Sequence, residues 1–312
     1  YPFLIDTLSL YSGFVPTGLS GNPQGNTTLG ISAGNGLTNG AKNTVIGNDA
    51  MKFQSSYGEY SVVGYQAAFN CTGSSVTALG YQAAYAGNQD GSVSIGTSAH
   101  GTGFAANDAV AVGSLAAYSG TATGSVVIGK RAGYIGSNKT NCVLIGFDAG
   151  RSANVSDNVS IGYRAGYSQT SGAGNTNLGY EAGYTATTGG DNSFLGYQTG
   201  KYITGNDNTA IGREAMIGTS TASNEYFNVA VGYRALANCQ GANSNVAVGH
   251  GAGNQITSGS NLTVLGYNAQ PSSNTASNEI TLGNASVAAL RIPGLQSGAS
   301  DGDVLTFSSA TG

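Results

Sequence analysis

The sequence predicts an all-β chain: a parallel β-solenoid, or β-roll, of about sixteen coils of 16–17 residues. Three observations carry this. A glycine preceded by an aliphatic residue recurs sixteen times from Gly30 to Gly283, and fourteen of the fifteen spacings are 16 or 17 residues, the other being 20. The position three residues after it is small in every repeat, alanine in all but Thr199 and Ser286. Only 8% of residues are charged while 51 of 312 are glycine, a composition of turns rather than of helices. A period held that long means one structural coil stacked on the next. It replaces the two domains that length alone would suggest.

Each coil is legible outward from its glycine. Before it stands an aliphatic residue, from Leu29 and Ile46 to Leu282; two further back stand Thr27, Thr44, Val93, Val126 and their counterparts, nearly all β-branched. Period-two alternation in such residues specifies a short strand, whose core-facing columns are expected to be these two. The glycine marks a tight bend or a close approach of two backbones. The alanine column (Ala33, Ala50, Ala165, Ala182 and others) leaves no room for large side chains, so a second short strand is expected there, packed against the first across a thin core. Gly, Asn, Ser, Thr and Asp fill the rest of the coil and suit turns with positive φ. Asparagine stands four residues before the glycine in eight repeats, Asn26, Asn175 and Asn245 among them. In that phase the side-chain amides can stack into a ladder.

The residue between the two core columns should then point outward. It is apolar in eleven of sixteen repeats, including Val127, Leu144, Phe194 and Val264. An apolar stripe of that length exceeds what soluble monomers expose, so this column is expected to lie between chains, in a homotrimer by preference over a dimer. The chain therefore divides into an N-terminal cap or docking segment (1–25), the repeat rod (26–288) and a C-terminal cap or linker (289–312). Both end segments are apolar enough to cover the unpaired edges of a solenoid or to dock on a neighbouring subunit and build head-to-tail filaments.

Little chemistry is indicated. A net charge of −4 with scattered cations gives no footprint for nucleic acid, and no apolar run is long enough to insert in a membrane. Cys71, Cys142 and Cys239 lie several coils apart, beyond disulfide reach. GSVVIGKR (124–131) matches the glycines and lysine of a phosphate-binding loop but has Arg131 where magnesium would need Ser or Thr, and it sits in phase with the repeat. His100 and His250 are nine coils apart and cannot share a metal within one chain. Asp148, Glu181 and Glu214 are dispersed, so no carboxylate pair for glycoside hydrolysis stands out. No catalytic residue, metal or cofactor is expected. The candidate recognition surface is a column of tyrosines directly after the glycine: Tyr65, Tyr81, Tyr163, Tyr180, Tyr197, Tyr233 and Tyr267. A flat apolar ring with a polar tip suits a glycan or a protein partner, or packing between coils or protomers.

SVSIGTSAH (92–100), SVVIGKRAGY (125–134), NVSIGYRAGY (158–167) and NVAVGYRALA (228–237) resemble the repeats of two groups: bacteriophage tail-fibre shafts and the heads of trimeric autotransporter adhesins. The resemblance covers most of 26–294 and implies a left-handed roll, trimeric assembly and an extracellular or virion-surface location. The coils here are wider than those of the adhesin heads, and neither a stalk nor an anchor follows, which favours a fibre segment. The leading expectation is thus a structural fibre rod that presents or performs surface attachment, with a bacterial surface adhesin second. Ice binding and glycan depolymerisation are the alternatives of another class. Ice binding would need an outward threonine column, and the threonines are expected to point inward.

Overall fold

The computed structural model describes residues 4–5, 10–13, 24–53, 58–102, 105–219 and 224–290. There the chain is an all-β parallel solenoid of about fourteen coils of roughly 17 residues, with no helix. Sixteen strands of three or four residues, one per glycine, run from Thr27–Gly30 to Ile280–Leu282 and form a single parallel stack. The register never slips: Val126, Val127 and Ile128 lie opposite Val143, Leu144 and Ile145, which lie opposite Val159, Ser160 and Ile161. Backbone bonds run from coil to coil in the turns as well. Gly34 N–H donates to the Ala50 carbonyl at 2.9 Å and Lys42 N–H to that of Gln24 at 2.9 Å.

Two strands precede the repeat, β1 (Leu4–Ile5) and β2 (Leu10–Gly13). β2 pairs in parallel with β3 (Thr27–Gly30), with Gly13 opposite Gly30. It is one more rung, a full period upstream, with Ser12 where the other rungs carry an aliphatic residue. β1 runs antiparallel to β2, so the parallel ladder ends there. Residues 1–3, 6–9 and 14–23 of the N-terminal segment, and 291–312 of the C-terminal one, lie outside the described residues.

The strands face the opposite way from the sequence expectation. Val127, Leu144, Phe194 and Val264, expected between chains, are fully buried inside their own coil. The columns expected inside look out: Leu29 is 51% exposed, Leu79 48% and Leu195 44%. The reason is volume. The alanine column is also fully buried, and one central side chain per strand already fills the space beside it. Two aliphatic residues per strand would not fit.

The central column varies in size, and the position six residues later compensates. Leu144 is matched by Gly150 and Phe194 by Gly200, where an added Cβ would lie 2.6 Å from the Leu144 or Phe194 side chain. Ala210 and Ala230 are matched instead by the buried Met216 and Leu236. At these coils the two positions together keep a similar volume, as close packing requires; at Ala247 and Gly253, both small, the Ile256 and Leu236 side chains reach in instead.

Nor is the half-coil after the glycine a second strand. It is a series of turns, because the second and fourth residues after the glycine adopt the left-handed conformation: Gln66 (φ 53°) and Ala68 (φ 50°), for example, or Arg234 (φ 53°) and Leu236 (φ 51°). Extended backbone cannot pass through such residues. Short second ladders occur only locally, Asn70–Thr72 with Ala86–Asn88 and Lys139–Thr140 with Val155–Ser156.

The asparagine ladder forms. Asn208 Nδ2 donates to Asn192 Oδ1 at 3.0 Å and Asn192 Nδ2 to Asn175 Oδ1 at 3.1 Å, while each Oδ1 also accepts the next coil's backbone N–H. Where the column holds serine the hydroxyl substitutes, Ser125 Oγ accepting from Cys142 N–H at 2.9 Å.

Candidate interaction surface

The outward strand face is the most distinctive surface of the rod. Each strand contributes two outward side chains, and along Val93–Ile95, Val110–Val112, Val126–Ile128, Val143–Ile145 and Val159–Ile161 both are aliphatic. Towards the ends threonine or serine replaces the first, as at Thr44, Ser61, Thr176 and Ser193. The threonines therefore point outward, which corrects the ground on which ice binding was discounted. They still share a column with valine and lie beside an aliphatic column, not a second threonine one.

Along the end of each strand that follows the glycine runs an aromatic ladder. Phe147, Tyr163, Tyr180 and Tyr197 stack with centroids 5.6, 5.0 and 5.0 Å apart and near-parallel planes. Tyr65 stacks on Tyr81 at 5.5 Å, and His250 joins Tyr233 to Tyr267 at 4.9 and 5.2 Å. The predicted tyrosine column is thus continuous in space within each run. Its ring faces are occupied by one another, so solvent meets ring edges and hydroxyls. Five residues after the glycine a second ladder stands beside the first, with Tyr167 on Tyr184 at 4.9 Å.

Between the ladders lies a zipper of charge. Asp148 is buried among three arginines: Arg131 Nη2 is 2.7 Å from Oδ2, Arg164 Nε 3.9 Å from the same oxygen, and Arg151 Nε 3.7 Å from Oδ1. The arginines lie against rings, Arg131 5.0 Å from the Phe147 centroid and Arg164 5.0 Å from that of Tyr163. Lys201 Nζ meets Glu181 at 2.7 Å. Burial opposes ionisation of Glu181, but hydrogen bonds from Lys201 and Gln198 outweigh it and hold its carboxyl below the usual range. Asp148, Glu181 and Glu214, dispersed in sequence, therefore work as partners of cations and form no acid pair with one another.

His100 and Lys139 are among the polar side chains enclosed in the core. Ser94 Oγ lies 2.8 Å from His100 Nδ1, and His100 Nε2 has no hydrogen-bond partner. Burial, with a smaller contribution from the Lys139 charge, pulls His100 down to about 3. Lys139 Nζ donates to the carbonyls of Ser119 and Gly136 at 2.6 and 2.7 Å, and burial brings it down to about 8. His100, enclosed within its own coil, cannot reach an axis shared with other chains; His250 belongs to the aromatic ladder. The GSVVIGKR segment is an ordinary rung, with Val126–Ile128 as its strand. Among the described residues no group of three or more His, Cys, Asp or Glu side chains could hold a metal, and the three cysteines are free and buried. No helix among them is long and apolar enough to cross a membrane.

Neither the protein-family models, nor the curated proteins, nor the solved structures contain a match to this chain. The class defined by its own geometry is the parallel β-solenoid.

Proposed function

We propose that this protein is a structural fibre segment: a rigid rod, assembled laterally as a homotrimer, that spaces or presents a surface-attachment function in a virion appendage or extracellular filament. The observation that carries the reading is the outward strand face. At about 4.8 Å per step the fifteen steps between the sixteen stacked strands make a rod about 72 Å long, and three-residue strands make the face about 10 Å wide. That gives roughly 700 Å² of largely aliphatic surface, more than monomers usually leave to water and close to the area each partner buries in a stable interface. The chains meet on the outward valine, threonine, isoleucine and leucine columns, not on the central column.

The aromatic ladder favours a second, compatible role in adhesion, as on a bacterial surface. Its hydroxyls and ring edges are exposed in long rows that a cell-surface glycan or receptor could contact by hydrogen bonds along ring edges. End-to-end growth at the N-terminal end would require the antiparallel β1 to move aside before another parallel rung could add.

Sedimentation and negative-stain electron microscopy test the assembly. Particles of three times the 31.0 kDa chain mass, seen as rods about 72 Å long, are expected. A monodisperse monomer at micromolar concentration would overturn it.

A further inference from the structure

The charges are segregated across the outward face. The position five residues before the glycine, just ahead of the strand, is left-handed in coil after coil: Asp108 (φ 54°), Asp157 (φ 60°), Asp191 (φ 57°) and Asp207 (φ 59°). Aspartate tolerates this conformation, and these four are exposed and form no ion pair among the described residues. The opposite edge, after the glycine, holds the aromatic ladders with Arg131, Arg151, Arg164, Lys201, Arg213 and Arg234. Each of these cations meets a carboxylate of its own chain, but the six share only Asp148, Glu181 and Glu214, so this edge keeps an excess of positive charge. One edge of the face is acidic and the other cationic and aromatic. Moreover, the same coils carry both signs: Asp157 with Arg164, Asp191 with Lys201, Asp207 with Arg213.

We infer that a second copy of this chain docks with its axis parallel and its coils in register, its acidic edge against the cationic edge of the first. This rests on the lateral association proposed above and adds its direction. Two parallel rods related by an axis along their length bring unlike edges together, whether the ring closes at two copies or three. Antiparallel rods joined through the same face bring like edges together, so the aspartates of one rod no longer meet the cationic edge of the other. Complementary charge selects the arrangement and excludes the other, while the aliphatic face supplies the area.

Two experiments decide it. In the first, Asp157, Asp191 and Asp207 are changed to lysine, which the column accepts: Lys42 occupies it with φ 60°. The Asn triple variant serves as the neutral control, since Asn141 and Asn261 also stand there. At low salt the lysine variant should associate at least about tenfold more weakly than the wild type and the asparagine variant to an intermediate degree, with both differences shrinking in high salt. Circular dichroism checks that each stays folded. Association of both variants as tight as wild type would overturn the inference.

In the second, single Asp207→Cys and Arg213→Cys variants and the double variant are treated with a short bismaleimide. The double variant, or a mixture of the two singles, should crosslink between chains, and neither single alone should do so. Self-crosslinking of Asp207→Cys would mean that like edges meet and would overturn it. A wild type that is monomeric throughout would instead remove the assembly on which the inference rests.

Discussion

At Gly162 an added Cβ would lie 2.4 Å from the Gly179 carbonyl oxygen, in a backbone with φ 136°. The same clash with the next coil's glycine recurs along the column, so conformation and contact both exclude any other residue. Gly162→Ala should cost about 3 kcal/mol or more, measurable by urea denaturation. The small column behaves by the same logic: Ala165→Leu should cost about 1–3 kcal/mol by overpacking, and leucine at Ser168, in a turn, should be nearly neutral. Equal stabilities would contradict the observed phase. His100 sets a pH dependence. Its folded value of about 3 lies below the ordinary 6.5, so as pH falls below 6.5 the unfolded chain takes up a proton that the native state refuses. Stability is therefore lost between pH 6.5 and about 3, by up to about 1.4 kcal/mol per unit. Urea titrations at pH 7 and 4.5 should show a smaller loss for His100→Gln than for the wild type.

At the scale of the element, the coil is a closed hydrogen-bonding unit joined to its neighbours around its whole perimeter, which is why three-residue strands suffice. The asparagine ladder serves the corner that the strands do not reach. Asn192 accepts from Asn208 and donates to Asn175 and to the Gly205 carbonyl at 2.9 Å. Asn192→Ala would leave buried donors and acceptors unpaired on both sides, costing about 2–4 kcal/mol. Urea denaturation measures that loss, and a variant as stable as wild type would mean that the ladder is ornamental. The ladder, the glycine and the alanine column were all legible from periodicity. The phase of the strand was not, because alternation states that neighbouring residues face opposite ways without stating which way is in. A cue lay in the sizes: the central column ranges from alanine to phenylalanine, and its extremes are compensated six residues later, as Phe194 is by Gly200 and Ala210 by Met216.

At the scale of the molecule, the inverted phase changes which residues can bring chains together. Leu144 and Ile145 are adjacent, one buried and one on the outward face. Leu144→Glu should unfold its coil, lowering the melting temperature, whereas Ile145→Glu should leave the circular dichroism β-signal intact and reduce the assembly to monomers in sedimentation. The reverse pattern would reinstate the sequence-based phase. The charged edges belong to this scale too. Within a coil the opposite charges lie six to ten positions apart, as in Asp157 with Arg164, Asp191 with Lys201 and Asp207 with Arg213, and look like scatter in the linear chain; only stacking the coils turns them into two opposed rows.

The sequence by itself determined the repeat length, the parallel coil, the obligatory glycine, the small column and the asparagine ladder, because each is a local demand that recurs in a fixed phase. The tertiary structure alone decided which face of the strand is filled, that the half-coil after the glycine is turns rather than strand, and that tyrosines and charges line separate edges. Those features depend on how much volume a closed coil encloses and on which residues become neighbours when coils stack, and neither quantity is a property of any single repeat.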